Sequence, residues 1–292
     1  EMFLILTIGG LALLSNAPYV AIAVMLLIAI VVAGNLQIVK AYPSGGGDYE
    51  VAHRNLGPRA GLVVASALLI DYVLTVAVSV ASGVDNIISA FPQLDPYRVE
   101  LAVGFIVLLA AANLRGVRES GRAFAIPTYL FIASVVVLIA AGLFQTLTGD
   151  APVATSAQYT VQTDSLTQAA IMLLLLRAFA SGCSALTGIE AISNGVPAFR
   201  APKVRNARIT LVLLGVVSMS LFAGITMLGL VSQIHYAEDP CDLVGFANCE
   251  TMPQQSVIGQ LGAAVFGDGS PLFYVLLAAT ALVLLLAANT AF

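Results

Sequence analysis

The chain has 292 residues, of which 59% are hydrophobic and 10% charged, with a mean hydropathy of +0.97. Soluble domains carry roughly 25% charged residues, so twelve basic and sixteen acidic side chains cannot coat a soluble surface of this size. This argues against a disordered chain, a nucleic-acid binder and an ordinary soluble enzyme, and predicts an all-α protein with several membrane spans.

The first residues, Glu1 to Leu14, form an apolar stub too short for a whole span and without the basic flank of a signal peptide. The last, up to Phe292, lie inside another apolar run. Both ends therefore predict a piece of a longer protein. A bilayer core needs about 20 apolar residues per helix. On that measure spans are predicted at about 1–14, 18–39, 60–91, 99–114, 123–147, 166–196, 209–232 and 271–292. The polar stretches between them are too short for a second domain, so one transmembrane domain covers 1–292.

The loops between these spans alternate in sign. Loop 40–59 holds Lys40, Arg54 and Arg59; loop 115–122 holds Arg115, Arg118 and Arg122; loop 197–208 holds Arg200, Lys203, Arg205 and Arg208. The opposite loops hold Arg98 alongside acids such as Asp150, Asp164, Glu238, Asp239, Asp242, Glu250 and Asp268. The positive-inside rule makes the basic loops cytoplasmic, in a cell-membrane protein. The same rule puts Cys241 and Cys249 outside, where a disulfide between them is allowed.

Two segments are too long for a straight crossing. Segment 60–91 must tilt steeply or extend beyond the bilayer. Segment 166–196 carries Ser181, Gly182, Ser184, Thr187 and Gly188 in its middle, and small and hydroxyl residues at that depth are where a helix can break. Broken helices form substrate sites in many secondary transporters; the plain alternative is a small-residue packing face.

Asp71, Arg177 and Glu190 are ionisable residues within these segments. Each costs about 2.5–3.5 kcal/mol at a helix centre, so they should face a cavity or one another. Asp71, Thr75 and Ser79 are spaced by four and share one helical stripe, with Tyr72 beside it. Ser184, Thr187 and Glu190 are spaced by three and can share another. Carboxylates, hydroxyls and a phenol are hard oxygen ligands that suit an alkali cation or the polar head of an amino acid. For Thr75 or Ser79 alone, inter-helix hydrogen bonding is the simpler explanation, worth about 0.6 kcal/mol. Both stripes together, each with an intramembrane acid, predict an ion or substrate site. Glu190 and Asp71 are candidates for coupling protons. Arg177 is either a gate or counter-ion, or a side chain snorkelling to the outer interface. Asp85, nearer the outer end of its span, reads as a rim residue.

At these residues the chain resembles a known family. The loop AYPSGGGDYEVAHRNLGPRAG, through Pro43, Gly45, Gly46, Gly47, Tyr49, Leu56 and Gly57, is similar to the first inner loop of permeases of the amino acid–polyamine–organocation superfamily. The segments LLIDYVLTVAVSVASGVDNIISAFP, NLRGVRESG and RAFASGCSALTGIEAISNGVPAF more narrowly resemble KimA-type potassium importers. The resemblance implies a leucine-transporter-like fold of two inverted five-helix repeats whose first and sixth helices are broken at the site. This chain would cover about spans 1b to 8. It also implies proton-coupled potassium uptake, with cation ligands at Asp71, Tyr72, Thr75, Ser79, Thr187 and Glu190. A homodimer, and control by cyclic di-AMP through a C-terminal domain not contained here, are further expectations of that resemblance.

Two transport functions follow. One is potassium import driven by protons. The other is proton-coupled amino acid transport, in which exposed backbone at the helix break would hold the substrate's carboxylate and amine. No enzyme is expected: His53 and His235 lie in loops on opposite sides, and the sequence has no GxSxG, HExxH or Walker loop. No cofactor is expected, no metal beyond a transported potassium ion, and no nucleic acid; the expected partners are the substrate, protons and the lipid bilayer.

Overall fold

The structure is a computed structural model that describes residues 16–115, 121–161, 167–183, 188–237, 239–246, 249 and 252–291. Ten helices are present among these residues: α1 Ala17–Ala41, α2 Gly47–Leu56, α3 Pro58–Ala90, α4 Arg98–Leu114, α5 Gly121–Thr148, α6 Gln168–Gly182, α7 Ile189–Asn194, α8 Lys203–Val231, α9 Val257–Phe266 and α10 Pro271–Thr290. Six stretches are long and apolar enough to cross a membrane, namely α1, α3, α5, α8, α10 and the run Pro92–Leu114 that contains α4. The protein is therefore an all-α, multi-pass membrane protein. The α6 helix has 15 residues, about 22 Å at 1.5 Å per residue, and falls short of a hydrocarbon core about 30 Å thick.

The helices start where the sequence lets them. Prolines occupy the first turns of α1, α3 and α10, where the missing N–H would be unpaired anyway. Thr167, Ser256 and Ser270 cap α6, α9 and α10 by accepting a backbone N–H three residues on.

Two apolar cores result. In one, Val24, Ile28 and Val32 of α1 pack with Ala178 of α6, Ile189 of α7 and Leu211 of α8. In the other, Val135 and Leu138 of α5 pack with Leu228 of α8, Leu261 of α9 and Leu276 of α10. The longest helix, α3, lies against α10 and α2. The chain thus forms an α1–α6–α7–α8 group and an α3–α5–α9–α10 group, with the long α8 reaching both.

Differences from the sequence expectation lie in the loops. The cytoplasmic stretch 40–59 folds into the amphipathic helix α2, packed on α3. The outer stretch 233–270 contains α9, whose ten residues are too few to span. Here Ser256 binds Asn86 and Ser89 of α3, with its N–H donating to Ser89 Oγ at 2.8 Å and its Oγ donating to Asn86 Oδ1 at 3.1 Å. The outer loops are laced together by a buried polar network. Ser156 Oγ donates to Gln260 Oε1 at 2.5 Å, His235 N donates to Ser156 Oγ at 3.0 Å, and His235 Nδ1 lies 2.8 Å from Tyr159 O. Strand β1, Thr160–Val161, pairs antiparallel with β2, Leu243–Val244. Cys241 and Cys249 form a disulfide. Arg98 holds Asp85 at 2.7 Å and Asp95 at 3.1 Å, so Asp85 sits in a rim ion pair.

The glycine-rich turn before α2 has a steric reason. Gly47 has φ +46°, and a Cβ there would lie 2.2 Å from Asn194 Oδ1 of α7. Only a residue without a side chain lets the start of α2 reach the end of α7. Gly47→Ala is expected to lower the stability of the detergent-purified parent protein by about 1–3 kcal/mol through left-handed strain alone, with the clash adding to it. Gly104→Ala, in open space on α4, should leave stability unchanged or raise it by up to about 1 kcal/mol. Thermal unfolding of the two variants side by side checks this.

Candidate functional site

The polar residues of the spans converge where the sixth predicted span is interrupted. Helix α6 ends at Gly182 and α7 begins at Ile189. Cys183 closes α6 through its backbone N–H and through Sγ, 3.1 Å from Phe179 O. Gly188 opens α7 with φ +93°, a conformation strained for any residue with a side chain. Gly182 is buried against Val24 of α1, and a Cβ there would lie 2.7 Å from that valine. The break is thus framed by two glycines, one needed for contact and one for backbone direction. Ser184 and Thr187 lie outside the described residues. Ser181 stands in the last turn of α6.

A cavity of about 290 Å³ opens at the break. Val31 and Asn35 of α1, Asp48 of α2, and Asp71, Tyr72 and Thr75 of α3 line it. So do Cys183, Gly188, Ile189, Glu190 and Ala191 around the break, and Thr290 and Ala291 at the end of α10. Because Asp48 belongs to the basic-loop side, the cavity reaches toward the cytoplasmic face.

Glu190 is the hub. Its Oε1 accepts from Tyr72 Oη at 3.4 Å and from Asn194 Nδ2 at 3.0 Å. The first bond joins α3 to α7 across the cavity, and so ties one helical group to the other. The second comes from within α7 and fixes the carboxylate's direction. Ser193 Oγ, 2.9 Å from Glu190 O, secures the backbone below it. Three carboxylates, a phenol, two threonine hydroxyls and an amide therefore bound one space. Among the described residues no three His, Cys, Asp or Glu side chains come close enough to hold a metal between them. Oxygens distributed around a cavity suit a weakly held, partly hydrated monovalent cation.

Of the residues predicted from sequence, Asp71, Tyr72, Thr75 and Glu190 meet at the cavity. Asp71 is exposed and forms its open flank. Ser79 is half-buried on the same helix but is not among the lining residues. Arg177 is exposed on α6, lines no part of the cavity and has no ion pair among the described residues. The structure does not bring it to Asp71 or Glu190.

Four residues escaped the sequence reading. Asn194 lies four residues after Glu190, a spacing that puts both on one helical face and that was available as a signal. Asp48 follows three glycines in a loop read for its basic residues and its family resemblance, neither of which singles it out. Thr290 ends a span without other distinguishing features. Asn35 interrupts an apolar helix. It is 7% exposed, its Nδ2 donates to Val31 O at 3.0 Å, and its Oδ1 is buried with no partner. An unsatisfied buried carbonyl costs about 1–3 kcal/mol.

A sequence model described as amino acid permease matches residues 4–292. The chain belongs to the amino acid permease family. It is also 41% identical over 293 aligned residues to the potassium transporter KimA of Bacillus subtilis (strain 168), across all of this chain and 45% of that protein. The chain thus spans less than half the length of the curated relative it matches.

The cavity makes a chemical prediction. In the parent protein, a small water-soluble methanethiosulfonate reagent offered from the cytoplasmic side should label Cys183, read by mass spectrometry of its peptide. Cys241 and Cys249, disulfide-bonded on the outer side, should stay unlabelled by it. A Cys183 that stays unlabelled while a cysteine introduced at an exposed position of α2 is labelled would contradict an open cavity at the break.

Proposed function

We propose that the parent protein of this chain is a secondary transporter that imports potassium together with protons. The bridge between Tyr72 of α3 and Glu190 of α7, beside a broken helix, carries this reading. It puts an acidic, oxygen-lined cavity at the boundary between two separately packed helical groups. A cation bound there touches both groups, so its arrival and departure bias their relative position. Rocking of one group against the other is the general route to alternating access. The 41% identity to a protein named as a potassium transporter supports potassium as the cargo.

Glu190 and Asp71 are assigned as the groups that exchange protons, and Asp71, Tyr72, Thr75 and Glu190, which line the cavity, as cation ligands. Ser79 joins them by its position on α3, and Thr187 by its place in the sequence three residues before Glu190. Three carboxylates around one cavity repel one another. A cation or a proton relieves that repulsion, which is a physical basis for coupling the two.

The amino acid reading draws on the family description and on the backbone freed at the break. An acid-rich cavity with no basic side chain among its described lining residues disfavours a substrate carboxylate there, which is why potassium is preferred.

Expression of the full-length parent in a potassium-uptake-deficient bacterium should restore growth at low potassium. Asp71→Asn and Glu190→Gln should each reduce potassium uptake at least tenfold. Uptake indifferent to both changes would contradict the assigned site. Amino acid uptake in the absence of potassium uptake would replace potassium with an amino acid as the substrate.

A further inference from the structure

The cytoplasmic end of α8 reads PKVRNARITLVLL over residues 202–214. Its side chains divide between two faces. Ala207, Leu211 and Gly215, spaced by four, are buried, and they pack toward α1, where a Cβ on Gly215 would lie 3.0 Å from Val32. Arg205, Arg208, Ile209, Val212 and Leu213, spaced by three and four, share a second face, and all five are exposed. Together with Leu36 of α1 they line a groove of about 740 Å³, a size within the range of ligand clefts. The groove is apolar except at its cytoplasmic end, where the two arginines stand. From Arg205 to Leu213 the helix rises about 12 Å, enough to run from the headgroup region into the acyl chains.

Neither arginine has an ion pair among the described residues, and no Asp or Glu is among the groove's described lining residues. Lys203 beside them is engaged differently, since its Nζ donates to Pro197 O at 2.7 Å. Both α1 and α8 are long and apolar enough to span the membrane, so lipid is the medium that meets an exposed apolar groove between them. The cytoplasmic leaflet is also where anionic lipid concentrates, and a basic pocket between membrane helices on that side is the chemistry that takes an acidic headgroup. A phosphate there accepts charge-assisted hydrogen bonds from planar guanidinium groups. An acyl chain below it covers Ile209, Val212 and Leu213. A further apolar helix laid in the groove would cover the same wall but leave both guanidinium groups without a counter-charge, which favours a lipid as the occupant.

We propose that the groove between α1 and α8 is a binding site for an anionic phospholipid of the cytoplasmic leaflet, with its phosphate on Arg205 and Arg208 and an acyl chain along Ile209, Val212 and Leu213. The lipid clamps α1 to α8 and so stabilises the helical group to which both belong. The site is separate from the cavity at the helix break, because the two share no lining residue. It therefore stands whether the cargo is potassium or an amino acid.

The test uses the full-length parent purified in a neutral detergent and offered phosphatidylglycerol, phosphatidylcholine or glycerol 3-phosphate. Native mass spectrometry reads the bound lipid and its affinity, and thermal unfolding reads the stabilisation. Three variants are compared with the unmodified protein. Arg205→Gln/Arg208→Gln removes the headgroup contacts, Val212→Trp fills the acyl slot with the charges kept, and Arg59→Gln/Arg115→Gln removes two basic residues of other cytoplasmic loops. The expected result is that the unmodified protein retains phosphatidylglycerol in preference to phosphatidylcholine and unfolds at a higher temperature with it. Loss of Arg205 and Arg208 should weaken phosphatidylglycerol binding about thirtyfold, the product of two contacts worth about fivefold each. Val212→Trp should weaken it as well, with unfolding in phosphatidylcholine unchanged, and Arg59→Gln/Arg115→Gln should bind as the unmodified protein does. A protein that does not distinguish the two lipids overturns the proposal. So does an equal loss in the Arg59→Gln/Arg115→Gln control, which marks general attraction to charge, and so does equal stabilisation by glycerol 3-phosphate, which marks a site for a free anion. A Val212→Trp protein that is destabilised in phosphatidylcholine and binds no phosphatidylglycerol, beside an unmodified protein that binds none either, marks a groove filled by the parent's own chain and overturns it too.

Discussion

A helix interrupted inside a bilayer must find protein partners for whatever the interruption frees, because lipid offers no hydrogen bonds. The arrangement around residues 183–189 is organised by that requirement. α6 closes on Cys183, α7 restarts from Gly188, and the Glu190 carboxylate just beyond the restart is held by Tyr72 and Asn194. The cavity exists because the two half-helices do not continue into each other. The acid is tolerated because one bond comes from its own helix and one from across the cavity.

The cytoplasmic side depends on the same point. Asn194 is pressed by the glycine turn before α2, since Gly47 leaves no room for even a methyl group against its amide. The loop that carries Asp48 is therefore packed against the residue that orients Glu190. A displacement of α2 would be felt at the carboxylate through a single side chain. On the outer side, Ser256 ties the start of α9 to Asn86 and Ser89 of α3, and Gln145 of α5 donates to Val265 O at the end of α9 at 3.0 Å. These contacts make α3, α5, α9 and α10 one supporting group. The Tyr72–Glu190 bond is then a contact between two bodies, and a contact of that kind can be made and broken in a transport cycle.

Much of this was legible in the sequence, for reasons particular residues make clear. Asp71 and Glu190 stand out because a carboxylate in an apolar run is costly, and a costly residue implies a cavity. The break was legible because glycine at 182 and 188 and hydroxyls between them weaken a helix whatever its surroundings. Sidedness followed from ten basic residues in three loops. What stayed hidden was set by packing between distant segments. Asn35 looks like one polar residue among apolar ones, and only the packing of α1 places that residue at the cavity wall. Asp48 sits in a loop whose basic residues explain its orientation, and only the approach of α2 to α7 gives it a place. The α9 helix is too short to register as a span. Periodicity correctly aligned Ser79 with Asp71 and Thr75, yet the cavity ends a turn earlier. Arg177 followed the rule that intramembrane charges seek partners, but α6 turns it outward.

The central claim is that a cation binds beside Tyr72 and Glu190, where α3 meets α7. The most direct test is an experimental density map of the full-length parent equilibrated with thallium(I), an electron-rich monovalent ion that substitutes for potassium. The account predicts a strong peak within coordination distance of Glu190 and of Tyr72 or Thr75, absent from a matched sodium-only sample. A well-resolved map with that space empty, or with the ion bound elsewhere, would contradict it.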